Sequence, residues 1–199
     1  FINTSGSIRN DVCKGKTGVR QELGVKVCVV EDQYGFLLNH RVMHNEQDKD
    51  VAFGMVQKCK DLFPKLASMS FDKGFYSKPD KDGKNNSINI QELLEVTPYL
   101  PAKGRLNKKR REIESTPEFG TARKQHPAVE SAINALESHG LDRCPDKGED
   151  NYTRYVAMAI TASNVHRIGA LLMAKELEQE RKKSRKFLKK RRKATKEAA

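Results

Sequence analysis

Residues 22–43 constrain the fold of this chain more than any other stretch. In ELGVKVCVVE, Glu22 to Glu31, Val25, Val27 and Val29 alternate before Val30. Asp32-Gln33-Tyr34-Gly35 follows, and then a second β-rich run from Phe36 to Met43. Two such runs joined by a short turn ending in glycine predict a hairpin. The period then changes. Val51, Met55, Val56, Cys59 and Leu62 fall at helical spacing between Asp48 and Phe63, and Pro64 closes that helix. The apolar run Leu66–Phe71 predicts a strand that ends on Asp72. A polar insert at residues 78–90 precedes a short helix at Gln91–Glu95 and a strand at Val96–Leu100. The highly charged residues 105–122 read as surface loop and helix. Pro127 suits the first turn of a helix that Gly140 ends, with Val129, Ile133 and Leu136 on one stripe. The last helix runs from about Tyr152 past Glu180, and Val156, Ala159, Ile160, Ile168, Leu171 and Leu172 mark it as long and buried. Strands alternating with helices after an antiparallel start imply a mixed sheet in an α/β domain.

Composition narrows the class further. The chain has 199 residues, enough for one domain with an appendage, and it begins at Phe1, which reads as the start of a processed product or fragment. No apolar run approaches the roughly 18 residues that a membrane span needs, so no membrane partner is expected. The net charge of +12 is unevenly placed: residues 181–196 hold eleven Lys and Arg, which leaves the body near +2. Arg185, Lys186, Lys189 and Lys190 belong to this run, whose charge suits polyanion binding by counterion release or, equally, a solvated helix end. Four scattered cysteines without a CxxC pair point to a reducing cytoplasm. The divisions expected are an irregular remnant at 1–20, a core at 21–175 and a basic helical or disordered tail at 176–199.

Several motifs fail on inspection. Lys14-Gly15-Lys16-Thr17-Gly18 lacks the first glycine of a phosphate loop and the strand before it. Asp80-Lys81-Asp82-Gly83 resembles the front of a calcium loop, but Lys78 and Asn89 stand where ligands belong, so an exposed turn is expected. Asp72 and Glu130 hold more promise. Asp72 ends an inner strand, where open α/β sheets place their sites, and Glu130 borders the buried stripe of its helix. Each also has a plain explanation, as a turn cap or a partner of the helix dipole. Spacing leaves both readings open.

The chain resembles the insertion-sequence DDE transposases, in particular the ISNCY-like group. The resemblance spans roughly residues 13–172 and rests on KGKTG (14–18), ELGVKVCVVEDQYGFLLNHRVM (22–43), SFDKGFYS (70–77), LPAKGRL (100–106) and RKQHPAVESAINALESHGLDRCPD (123–146). It implies a ribonuclease H-like mixed sheet flanked by helices, in which three acids bind two Mg²⁺ or Mn²⁺ ions for DNA strand cleavage and strand transfer. One acid belongs on the first strand, one at the end of the fourth and one on a later helix. By motif, Asp72 matches the second acid and Glu130 the third. The first is not reproduced: counting back from Lys14-Gly15-Lys16 places it near Gly6, and Asp11 is the only acid upstream of Glu22. A missing or degraded first strand is therefore expected. Lys73, Lys103, Arg105, Arg123 and Lys124 fit phosphate positioning, while His126 suits either DNA contact or fixing the entry to its helix. Asp48 matches a recurrent family acid or caps the 49–63 helix. The partners implied are transposon-end and target DNA and further copies of the chain. The alternative is a non-catalytic nucleic-acid-binding protein that works through its basic tail.

Overall fold

The computed structural model describes residues 2–5, 25–141, 143–145 and 147–197, with residues 2–5 and 190–197 as backbone. Two compact units emerge, residues 1–160 and 161–199. The first unit is a mixed α/β body. Its strands are β1 (Ile2–Ser5), β2 (Lys26–Asp32), β3 (Leu37–Met43), β4 (Ser68–Phe71) and β5 (Thr97–Tyr99). They form one sheet in the order β3-β2-β1-β4-β5, antiparallel from β1 to β3 and parallel from β1 through β4 to β5.

The expected hairpin is present as β2 and β3. Asp32 builds its turn: one carboxylate oxygen accepts from the backbone N–H of Tyr34 at 2.8 Å and of Phe36 at 2.9 Å. Gly35 takes a φ of 81°, which a side chain would oppose.

The expectation of a missing first strand is corrected, because Ile2–Ser5 sits at the centre of the sheet. Four residues with one apolar side chain carry no readable period. Pairing on both sides makes this segment a strand, with Thr4 opposite Val30 of β2 and Phe71 of β4.

Helices cover both faces. On one side α1 (Asp48–Leu62) and α2 (Asn86–Leu94) pack Val51, Met55, Val56, Ile90 and Leu94 against Cys28, Val30, Met69 and Phe71. On the other, α5 (Pro127–Leu136) and the start of α6 (Glu149–Glu197) pack Val129, Leu136, Val156 and Ile160 against Val27, Val29 and Leu37. Successive residues of β2 thus enter opposite cores, as the two-residue repeat of a strand requires. Fully burying each of these side chains contributes roughly 1.5–3 kcal/mol.

The second helix begins earlier than expected, inside the polar insert, because the Asn85 side chain accepts from the Ile88 N–H at 3.0 Å and caps it. The Asp80 carboxylate is used locally, accepting from the N–H of Asp82 at 3.0 Å and of Lys84 at 2.8 Å. Two short helices, α3 (Lys108–Glu114) and α4 (Pro117–Gln125), follow β5. Beyond α5 the chain widens through Glu137–Leu141, where Gly140 has a φ of 106° and its carbonyl accepts from the Tyr155 hydroxyl at 2.9 Å.

Expected burial along the last helix is also corrected. Val156 and Ile160 are buried, but Ile168, Leu171 and Leu172 are exposed. Residues 161–199 form a unit of one helix among the described residues, and a single helix cannot cover its own apolar stripe. By length and composition alone, this helix could cross a membrane. The sequence reading missed this because polar residues interrupt the apolar run without lowering its average far. Val156 and Ile160, near its start, lie in the body's core.

Candidate functional site at the end of β4

Asp72 follows the last residue of β4. Its Oδ1 accepts from the Lys73 N–H at 2.6 Å and caps the 3₁₀ turn Lys73–Phe75. The carboxylate itself is exposed, at the carboxyl end of a strand flanked on both sides. Gly74 is needed for a different reason: a Cβ there would lie 2.5 Å from Oδ2 of Asp48. Asp48, the first residue of α1, also pairs with Lys26 at 2.5 Å. It therefore ties the start of β2, the start of α1 and the turn that presents Asp72. The cap of α1 comes instead from Asp50, whose carboxylate accepts from the Gln47 N–H at 3.3 Å.

His126 connects the two acids. It is the junction of α4 and α5, 6% exposed, and its Nδ1 lies 2.9 Å from the hydroxyl oxygen of fully buried Ser70. Ser70 stands two residues before Asp72, on the same side of β4 by strand alternation. Glu130 stands four residues after His126, one helical turn on and on the same face of α5. This hydrogen bond thus joins the helix that carries Glu130 to the strand that ends at Asp72. Burial lowers the His126 pKa from its ordinary value, and nearby Arg123 lowers it further. The charges of Asp72 and Glu130 act in the opposite sense, so the imidazole lies within electrostatic reach of both. Its Nε2 is buried and has no hydrogen-bond partner among the described residues. The structure places His126 at the entry to α5, hydrogen-bonded to Ser70.

The donor set is partial. Asp72 and Glu130 supply hard carboxylate oxygens of the kind that Mg²⁺ or Mn²⁺ takes. The parallel register pairs Thr4 with Phe71, so β1 reaches its last residue, Ser5, beside Asp72. Ile2-Asn3-Thr4-Ser5 contains no acid. Gly6 and Asp11 lie outside the described residues. Among the described residues no three His, Cys, Asp or Glu side chains gather as a metal site. Two carboxylates do not make the three-acid set that the resemblance implies, and no metal-dependent step is derived from them.

The expected basic residues are exposed. Lys73 follows Asp72 directly, and Lys103 and Arg105 lie on the loop after β5, which runs parallel to β4 and leaves the sheet at the same end. Arg123 and Lys124 occupy the last turn of α4, just before His126. Arg185, Lys186 and Lys189 are exposed on α6, and Lys190 continues its backbone. Sequence reasoning missed Ser70, although its place two residues before Asp72 was the available signal. It also left the basic run Lys108–Arg111 within an undivided surface segment.

The body is therefore a mixed α/β domain in which Asp72, Lys73, Lys103 and Arg105 follow the carboxyl ends of two parallel strands. No family model and no curated protein matches the chain.

Proposed function

We propose that the chain is a DDE-transposase-type core of ribonuclease H-like fold that binds DNA and keeps two of the three catalytic acids. The layout supports this reading. β1 lies between β2 and β4, β4 runs into Asp72, and α5 with Glu130 packs against β1. The observation that carries it is the Ser70–His126 hydrogen bond, since it brings the strand and the helix bearing the two acids together. In an intact enzyme three such acids would hold two divalent ions, which would supply activation of the attacking oxygen and stabilisation of the leaving one. Here the chain's own share is to hold two carboxylates and to place bases against phosphates. No acid stands in Ile2–Ser5, and the sequence has a glycine at position 6, where the resemblance puts the first acid, so we read this chain as DNA-binding and deficient in cleavage.

A supercoiled plasmid with Mn²⁺ tests this. We expect salt-sensitive DNA binding by the unmodified chain and by Gly6→Asp, with nicking only by Gly6→Asp. Adding Asp72→Asn should abolish that nicking and leave binding intact. DNA binding without nicking by any variant removes the transposase-type reading. It favours the second one, binding through the exposed bases of α6. In that case deleting residues 181–199 lowers the slope of log affinity against log salt by about 0.9 for each phosphate that the tail neutralises.

A further inference from the structure

Away from the acids, the structure carries a cavity of about 780 Å³ between α2, β5, α3 and α4. This volume falls within the roughly 300–1,000 Å³ range of ligand-binding clefts. Ile88, Tyr99, Ile113 and Phe119 line it, with Gln91 and Lys109 among its polar groups. Tyr99 and Phe119 meet edge to face, their ring centroids 5.9 Å apart. The Arg110 guanidinium lies 5.9 Å from the Phe119 centroid and pairs with Glu114 at 2.9 Å, which stiffens this wall. Ile113 is 42% exposed, a large apolar side chain left facing solvent beside aromatic ones.

Charge identifies the occupant. From Val96 to Arg111 the chain carries six bases and no acid: Lys103, Arg105, Lys108, Lys109, Arg110 and Arg111. Among the described residues, Glu118 is the one acid lining the cavity. An apolar, aromatic cleft beside a run of bases suits a ligand that is flat and apolar at one end and anionic at the other. An unpaired nucleotide has that character, with a base to stack and a phosphate to attract Lys109. Gln91 supplies an amide able both to donate to and to accept from a base edge. We infer that this cleft holds an unpaired nucleotide of bound DNA. The inference rests on the proposed DNA-binding function, but not on the Asp72–Glu130 site.

The experiment compares a plain duplex with the same duplex carrying one extrahelical 2-aminopurine. The unmodified chain should bind the bulged duplex about tenfold more tightly and quench the 2-aminopurine by stacking. Ile113→Asp should remove both the preference and the quenching while leaving plain-duplex affinity unchanged. Gln91→Ala, at an exposed helix position, should reduce the preference without disturbing the fold, with circular dichroism as the control. Equal affinity for the two duplexes, or equal weakening of both by Ile113→Asp and Gln91→Ala, overturns the cleft and spares the DNA-binding reading. No salt-sensitive binding to either duplex overturns both.

Discussion

Replacing Gly74 with alanine probes how the chain presents Asp72. The new methyl group would lie 2.5 Å from Asp48 Oδ2, about 0.9 Å inside the 3.4 Å at which ordinary contact begins. Asp48 has little freedom to withdraw. Its side chain is short, and Lys26 holds the other oxygen at 2.5 Å, with both side chains only about one-fifth exposed. Forcing them apart costs about 1–3 kcal/mol as overpacking, to which loss of a partly exposed ion pair adds up to about 1 kcal/mol. Against this stands a gain of about 0.4–1 kcal/mol from a less flexible unfolded chain, since Gly74 is not among the residues with positive φ. Gly74→Ala should therefore destabilise the protein by about 1–3 kcal/mol.

The decisive measurement is a double-mutant cycle by urea denaturation. In an Asp48→Ala background the obstruction is gone, and Gly74→Ala should become neutral or stabilising by up to about 1 kcal/mol. The coupling energy is then about 2 kcal/mol. Asp48→Ala leaves the α1 cap in place, because Asp50 supplies it. If Gly74→Ala costs the same with and without Asp48, the contact does not set the glycine requirement, and the role given to Asp48 fails.

Two further outcomes follow from buried groups. His126 has its pKa lowered by burial, so the unfolded state binds its proton first as pH falls; stability is full above about pH 6.5 and declines as pH drops through the folded value. Urea midpoints from pH 7.5 down to 5 should fall for the unmodified chain and fall less for His126→Gln, the residual slope belonging to His40, whose pKa burial also lowers; equal slopes would refute this. Burial pushes the Cys28 and Cys59 thiols up to about 12 and about 11, whereas Cys144 is partly exposed. At pH 8 a thiol reagent followed by peptide mapping should therefore label Cys144 well before the other two, and early labelling of Cys28 would contradict the packing of β2 against α1.

Legibility in the sequence followed the length and regularity of each signal. The β2–β3 hairpin and α1 were readable because Val27, Val29, Met55 and Cys59 repeat at the periods of the structures they form. β1 was not, since only its two neighbours in the sheet make a strand of Ile-Asn-Thr-Ser. The far half of α6 misled for the opposite reason: Ile168 and Leu172 are spaced as though buried, but periodicity reports an apolar face and not what covers it.

The site divides along the same line. Asp72 stood out as an acid at the end of a buried run, and Glu130 as an acid at the edge of a helical stripe. What joins them is a contact between Ser70 and His126, 56 residues apart in the chain, and no local pattern encodes it. That contact also explains why a serine is tolerated with no exposure inside an apolar strand: the imidazole satisfies its hydroxyl. Burying this polar pair is thus a structural cost that the hydrogen bond helps to offset, and its consequence is geometric. It holds the start of α5, the helix that carries Glu130, against β4, the strand that runs into Asp72.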